Sequence, residues 1–204
     1  MTAVFIVKQP DAVHVVVDGA AIGPDGRIVG IFSKTVVLPH LGAAITLRGR
    51  VQHFADAILF GLPHDLPGLR AMAESSVRTM GNAIEIYIAA FDQAFAITAA
   101  GTQEIEGFAL APHIEFAFLY GRTADEIDPV DDGVTVMEAL RQNPVRFANG
   151  AVGPAAGGHV QLTTIRRNGI ATSIIRRWQA DRIGGFVNEV RGVVGMPEDI
   201  FADA

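Results

Sequence analysis

The 204-residue sequence contains no cysteine, which excludes disulfide bonds, thiol nucleophiles and thiolate metal sites and fits a reducing compartment. Half of the residues are apolar, but no apolar run reaches the roughly 18 residues that a membrane helix needs. The start of the chain also lacks the basic stretch that opens a secretory signal peptide. We therefore expect a cytoplasmic protein that has no membrane partner.

Basic residues are few as well, with 16 lysines and arginines against 22 acidic residues and a net charge of −6. Nucleic-acid-binding proteins usually carry a basic face. The dense basic cluster in this chain comprises Arg166, Arg167, Arg176, Arg177 and Arg182. A solvated or subunit-facing hairpin edge explains this cluster better than a nucleic-acid site, so we expect no nucleic-acid partner.

Motifs for metals and cofactors are missing too. No H-E-x-x-H pair, phosphate-binding glycine loop or G-x-S-x-G elbow occurs. The acidic loop from Thr123 to Gly133 lacks the spacing of a calcium-binding EF-hand. The six histidines are scattered along the chain: His14, His40, His53, His64, His113 and His159. The sequence therefore predicts no metal and no cofactor.

Hydrophobic periodicity predicts a strand-rich first half, a pair of helices, further strands, a short helix and a hairpin. The predicted strands are Val4–Val7, Val13–Val17, Arg27–Phe32, Thr35–Leu38, Gly42–Leu47, Ala83–Phe91, Ala94–Ala99, Glu106–Leu110 and His113–Leu119. The predicted helices run over Val51–Leu59, Leu69–Met80 and Val134–Gln142. The Asn168-Gly169 dipeptide predicts a hairpin turn within His159–Trp178.

Such blocks of strands and helices favour an α+β fold over alternating βαβ units. Two antiparallel sheets with helices packed outside them would satisfy the pattern. No linker divides the chain, so we expect one domain over residues 1–180. Residues 181–204, which are rich in glycine, are predicted to form a C-terminal arm or docking tail of that domain.

The N-terminus holds the first candidate for catalysis. An apolar strand pattern begins at Ala3, directly after Met1 and Thr2. Methionine is normally removed before a small second residue, and with no propeptide ahead of Thr2 we expect a methionine aminopeptidase to expose it. A free α-amine has a pKa of about 7.7–8.0, so it can take the proton of the Thr2 hydroxyl and activate that oxygen as a nucleophile.

Such a nucleophile needs charged partners. Asp18 ends the apolar run Val13–Val17, where an unpaired carboxylate would be costly. Lys34, one of two lysines in the chain, lies between apolar runs. A buried Lys34 near Thr2 would stabilise an alkoxide, and Asp18 would keep Lys34 charged and oriented. A purely structural Asp–Lys pair beneath a hairpin explains the same residues equally well.

Thr2, Asp18 and Lys34 follow one another at intervals of 16 residues. Asp18 lies in the segment VVVDGAAIG and Lys34 in IFSKTVV, and the segments HLGAAITLRGR and HFADAILF come after them. This arrangement resembles the N-terminal threonine hydrolases, which include proteasome β subunits and the simpler bacterial proteasome-like peptidase. The segment GGHVQLTTIRRNG is similar to the last strand pair of that family. The resemblance is clear from Thr2 to Leu59 and collinear afterwards.

The resemblance implies a four-layer αββα sandwich that assembles into stacked rings. It further implies that Thr2 is the nucleophile, that Asp18 and Lys34 support it, and that a backbone N–H near Gly49 stabilises the oxyanion. The sequence departs from the family at TLRGR, where Arg48 is an alternative donor. Arg48 and Arg50 are expected either to crowd the cleft or to select acidic groups. The helper serine of the family has no clear match.

The leading hypothesis is a threonine-type hydrolase, a peptidase in a homo-oligomeric ring that cleaves peptides or unfolded proteins, with an ATPase unfoldase as a candidate partner. One alternative is a non-catalytic scaffold or assembly subunit that keeps the Asp18–Lys34 pair for structure. The other is a small-molecule amidase on the same fold. Substrate identity, ring size and the presence of an ATPase do not follow from the residues.

Overall fold

The computed structural model describes residues 2–23, 25–49, 63–113, 115–143, 145–146 and 152–187. The strands are β1 Val4–Lys8, β2 Val13–Asp18, β3 Ala20–Ile22, β4 Ile28–Ile31, β5 Thr35–Leu38, β6 Ala43–Gly49, β7 Ile84–Ala90, β8 Ala94–Thr98, β9 Gly101–Glu104, β10 Phe108–Ala111, β11 Val145–Arg146, β12 Val152–Gly153, β13 His159–Arg166 and β14 Gly169–Arg177. The helices are α1 Leu66–Met80 and α2 Asp131–Gln142. Neither helix has the length and apolar character that crossing a membrane requires, and the described ranges contain no other candidate.

Two five-stranded antiparallel sheets form most of the fold. The first sheet has the strand order β10-β1-β2-β13-β14, and the second has the order β5-β6-β7-β8-β9. Strand β2 lies at the centre of the first sheet between β1 and β13. Its residues Val13–Asp18 are all buried, which explains why the sequence shows a continuous β-branched run there instead of an alternation.

The two sheets pack face to face around an apolar core. Val4, Ile6 and Val15 of the first sheet contribute to one cluster with Ala44 and Tyr87 of the second sheet. Because side chains alternate between the faces of a strand, the residues between them point to the opposite face of each sheet. This sandwich positions the ends of β1, β2 and β13 beside one another.

In the part of the chain that the structure describes, one helix packs on the outer face of each sheet. Helix α1 packs Leu69, Ala73 and Val77 against the second sheet, and Asp65 caps its N-terminus by accepting a hydrogen bond from the Gly68 amide at 2.7 Å. Helix α2 packs its buried residues, among them Met137, against the first sheet. Both helices therefore owe their positions to an apolar stripe.

The predicted four-layer αββα sandwich is wrong. The described residues form mostly antiparallel sheet, with two α-helices, and a single helix on each outer face does not make a helical layer. The expectation took its layers from the family resemblance and from three helical patterns. The first of these patterns, Val51–Leu59, lies outside the described residues.

Most local predictions agree with the structure, but the short strands β3, β9, β11 and β12 were not predicted, and two other predictions differ from what is observed. The predicted strand His113–Leu119 is wrong, because Ala117–Leu119 forms a 3₁₀ turn there. The hairpin of β13 and β14 is present, but its turn consists of Arg167 and Asn168, one residue earlier than expected, because Arg166 pairs with Gly169. Glycine in the first position of β14 has a φ of 147°, which a side chain would disfavour.

Candidate active site

The Asp18 carboxylate is the centre of the candidate site. The residue ends β2 and is completely buried. Its Oδ1 accepts hydrogen bonds from the Ala3 amide at 2.9 Å and from Lys34 Nζ at 2.7 Å. Its Oδ2 accepts from the amides of Ala20 and Gly157, each at 3.2 Å. Four donors thus offset the cost of burying this charge.

Lys34 lies between β4 and β5 with its side chain buried against Asp18. Burial lowers the pKa of Lys34 below the ordinary lysine value, and the neighbouring Asp18 carboxylate opposes that shift. The Lys34 backbone is fixed from the second sheet, because the Thr46 hydroxyl donates to its carbonyl at 2.9 Å. The structure therefore brings Asp18 and Lys34 into contact, while their roles in catalysis stay a prediction.

The backbone beside Thr2 is hydrogen-bonded to Asp18. It precedes Ala3, whose amide donates to Asp18 and whose carbonyl accepts the Asp18 amide at 3.4 Å. Only 2% of Thr2 is exposed. Thr2 and Ala3 therefore lie against the end of β2, while the role of Thr2 as the nucleophile stays a prediction.

Gly49 is the fourth residue that the sequence predicts for the site. It ends β6 opposite Ile84, three residues beyond Thr46, which corresponds to about 10 Å along a strand. Its φ is 107°, and a Cβ there would lie 2.1 Å from the Ala83 carbonyl oxygen. The fold therefore requires glycine at this position whatever the chemistry, and the role of Gly49 as oxyanion donor stays a prediction.

The side chain of Arg48, the alternative donor, forms an ion pair on the second sheet. Its Nη1 donates to Glu85 Oε1 at 2.8 Å, and the Tyr87 hydroxyl donates to Glu85 Oε2 at 2.8 Å. The Glu85 carboxylate thereby balances the guanidinium charge. Arg50 lies outside the described residues.

Two positions at the site were missed by sequence reasoning, Gly157 and His159. Gly157 donates to Asp18 from the loop before β13, and the His159 ring lies against Gly19, the residue that follows Asp18. Spacing along the chain could not find them, because 139 residues separate Gly157 from Asp18. The Gly-Gly-His sequence at the start of a predicted strand was the one available signal.

A buried ion pair fixes the loop that carries Gly157. Arg141 of α2 donates twice to Asp181, from Nη1 and Nη2 at 2.6 Å each. Asp181 Oδ2 also accepts the Gly158 amide at 2.6 Å, and the Arg141 guanidinium stacks over Trp178 at 4.6 Å. The start of the predicted C-terminal arm is therefore anchored to the domain, whereas residues 188–204 lie outside the described part.

Within the ranges that the structure describes, no three histidine, cysteine, aspartate or glutamate side chains converge into a group that could hold a metal ion. Asp18 and Lys34 supply a carboxylate and an ammonium in contact, and the neighbouring residues Thr2 and His159 carry a hydroxyl and an imidazole. These groups suit proton transfer and nucleophilic attack.

A double-mutant cycle tests how strongly Asp18 and Lys34 depend on each other. Asp18→Asn leaves a buried ammonium without its carboxylate, so we expect a loss of about 3–5 kcal/mol in the free energy of unfolding. Lys34→Met costs less, about 2 kcal/mol, because three backbone amides still bind the carboxylate. The double variant should lose less than the sum in chemical denaturation. Strict additivity would contradict the coupling, and Glu106→Gln, at an exposed pair with Lys8, serves as the control.

The pH dependence of stability tests the environment of Lys34. Its pKa is lower in the folded protein than in the unfolded chain, so between these two values the unfolded chain binds more protons and stability rises with pH. The unfolding free energy of the wild type should therefore increase relative to that of Lys34→Met as the pH approaches about 10.4. A difference that stays flat or decreases with pH would show that Lys34 is not desolvated.

Comparisons with known proteins reveal similarity at the level of structure alone. No protein-family model and no curated protein sequence matches the chain. The solved structure of an Anbu (Gly-1) mutant from Hyphomicrobium sp. strain MC1 has 11% identity and a TM-score of 0.62, and the match covers 86% of this chain and 88% of that one. A second Anbu structure from the same strain has 9% identity and a TM-score of 0.62, with 85% and 87% covered.

These findings correct the family expected from the sequence. Assignment to the proteasome β subunits or the bacterial proteasome-like peptidases is not supported, because no family model matches and the two similar structures described above are of Anbu. At 9–11% identity the likeness shows the fold and no catalytic role.

Proposed function

We propose that this chain is a threonine-type N-terminal nucleophile hydrolase that cleaves amide bonds after Met1 has been removed. The observation that carries the proposal is the double contact of Asp18 Oδ1, which binds both the amide of Ala3 and the ammonium of Lys34. One carboxylate thereby ties the residue that follows Thr2 to the buried cation. This is the arrangement that a nucleophile at the N-terminus needs.

The reaction has two stages. The α-amine of Thr2 accepts the hydroxyl proton, and the oxygen attacks the amide carbon of the substrate. The tetrahedral intermediate then collapses, the amine product leaves with a proton from the Thr2 ammonium, and an ester remains on Thr2. Water attacks this ester in the second stage, and the acid is released as the Thr2 hydroxyl regains its proton.

Lys34 stabilises the developing charge on the Thr2 oxygen in this mechanism. The lowered pKa of Lys34 makes its proton easier to share with an alkoxide than that of a solvated lysine. Asp18 orients the ammonium from its other side. A backbone N–H at Arg48 or Gly49 serves as the oxyanion donor in the proposal, which requires the substrate carbonyl to reach the end of β6.

The proposed substrate is a peptide or an unfolded protein, and the proposed assembly is a ring of identical subunits. Exposed apolar side chains on the β3–β4 hairpin and on the segment that pairs with it support self-association: Val29, Phe32, Ile183 and Phe186. Arg27 and Phe186 form a β-bridge that joins these two parts. Such a patch is typical of a surface that contacts another protein.

Labelling of Thr2 tests the proposed function. A fusion that a specific protease cuts directly before Thr2 provides cut and uncut forms of the same chain. We expect a peptide β-lactone to add one acyl group to the cut form, located on Thr2 by peptide mapping, and none to the uncut form, because only the cut form has the α-amine base.

Two variants control this experiment. Thr2→Ser keeps a hydroxyl and should be labelled, whereas Thr2→Ala should not be. A cut, folded wild type that takes no acyl group and hydrolyses no peptide would exclude catalysis by Thr2 and favour the scaffold alternative. Labelling with turnover of small amides but not of peptides would favour the amidase alternative.

The oligomeric state tests the apolar patch. We expect the wild type to sediment well above its chain mass of 21.6 kDa and the double variant Phe32→Ser/Ile183→Ser to shift toward the monomer, because the change removes apolar contact area. Tyr120→Ser, at an exposed residue outside the patch, should leave the mass unchanged. A monomeric wild type would contradict self-association.

A further inference from the structure

His159 and Thr2 lie on opposite sides of Gly19 in three neighbouring strands. On one side, Val4 pairs with Val17, and the hydrogen bond between Ala3 and Asp18 continues this register, so that Thr2 lies opposite Gly19. On the other side, Val160 pairs with Asp18, and the Gly19 amide donates to the His159 carbonyl at 2.9 Å. Gly19 is thus the common neighbour.

These residues share the inner face of the sandwich by strand alternation. Val4 and Ile6 face the second sheet, which places Thr2 on that face. Ile165 faces it too, which places Gln161 and His159 there. Neighbouring strands are about 4.8 Å apart, so the Cα atoms of Thr2 and His159 are separated by about 10 Å.

The imidazole of His159 occupies the space that a side chain at residue 19 would fill. A Cβ on Gly19 would lie 2.3 Å from His159 Nδ1 and 2.7 Å from Nε2. The ring therefore lies over the backbone of the residue that is opposite Thr2. Residue 19 itself, being glycine, places no side chain between them.

Both ring nitrogens of His159 are buried without a hydrogen-bond partner in the part of the chain that the structure describes, and 4% of the residue is exposed. The Gln161 side chain lies close enough to raise the pKa of His159, but its own Nε2 also has no hydrogen-bond partner among the described residues. Buried polar atoms are nearly always hydrogen-bonded. Three such atoms together indicate a place for water or for a polar group of a ligand.

The surroundings favour a neutral imidazole. Burial lowers the pKa of His159 the most, and the charges of Arg177 and Lys34 lower it further, while Asp18 and Gln161 oppose them. A neutral imidazole has one donor and one acceptor nitrogen. It can therefore hold a water molecule and accept a hydrogen bond from it.

We propose that His159 is a positioning residue that holds the hydrolytic water for release of the acyl group from Thr2. This inference rests on the proposed function of Thr2. The imidazole accepts a hydrogen bond from the water, whose oxygen attacks the ester carbon. The α-amine of Thr2 takes the proton that the water loses and returns it to the Thr2 oxygen as the ester bond breaks, so His159 gains no net proton.

The proposal separates the two stages of the reaction. Formation of the ester needs Thr2 and its amine but no water, so it should not depend on His159. Hydrolysis of the ester needs the water in place, so it should. Loss of the imidazole should therefore trap the acyl-enzyme.

The test follows acyl-Thr2 by intact mass in the cut form of His159→Phe, which keeps a ring of similar size. We expect acylation at the wild-type rate and deacylation slowed about tenfold or more. Hydroxylamine, which needs no positioned water, should restore turnover, an effect that a merely structural role would not produce. His159→Gln, which keeps a donor and an acceptor, should deacylate faster than His159→Phe.

Thr163→Val is the matched control, since Thr163 is a buried residue of β13 whose hydroxyl contacts Thr172. This variant should deacylate at the wild-type rate.

Deacylation of His159→Phe at the wild-type rate would overturn the proposal. Loss of acylation in a His159→Phe protein that keeps the wild-type melting temperature would overturn it as well. If His159→Phe does not fold, His159→Gln takes its place in the test. Deacylation of His159→Gln at the wild-type rate would support the positioning role of His159. Lost turnover of His159→Gln that hydroxylamine does not restore would overturn it. A wild type that is never acylated would instead overturn the proposed function itself.

Discussion

The Asp18 carboxylate is the constraint on which the rest of the site depends. It is fully buried, and its two oxygens accept hydrogen bonds from four donors on four separate parts of the chain. A buried carboxylate is costly unless it is compensated in this way. The need to satisfy one charge therefore fixes the N-terminal strand, the lysine before β5, the start of β3 and the loop before β13 relative to one another.

That loop is held from a second direction. Gly157 donates to Asp18, and the next residue, Gly158, donates to Asp181, which forms the buried pair with Arg141. The amides of Gly157 and Gly158 thus link the Asp18 carboxylate, by way of Asp181 and Arg141, to helix α2. Displacement of this loop would disturb a buried carboxylate at each end, so we expect the loop to be among the least deformable parts of the described structure.

The site was partly predictable from the sequence. A lone aspartate after the apolar run of β2, and a lone lysine between apolar runs, are each costly to bury without a partner, which is why Asp18 and Lys34 could be paired in advance. His159 could not be placed, because its proximity to Thr2 depends on the register of β13 beside β2, and register across 140 residues is not encoded in any local pattern. Position 49 requires glycine because the Ala83 carbonyl oxygen lies close to its Cα. The spacing of residues along the sequence does not reveal this approach.

The fold was also predictable only in part. Local runs such as Thr35–Leu38 predicted their strands, because a short β-branched run between turn residues has few alternatives. The arrangement of the layers was predicted wrongly. That prediction depended on the family resemblance and on helical spacing in a region that the structure does not describe. Similarity to Anbu at 9–11% identity then shows the fold and leaves the chemistry to experiment.

The most direct test of the central claim is the mass of the first tryptic peptide, which ends at Lys8, after the purified protein has been incubated with an acylating peptide substrate and quenched. The account predicts that this peptide begins at Thr2 and carries the acyl group as an ester on the Thr2 hydroxyl. A peptide that begins at Thr2 and stays unmodified, in a folded protein at saturating substrate, would contradict it.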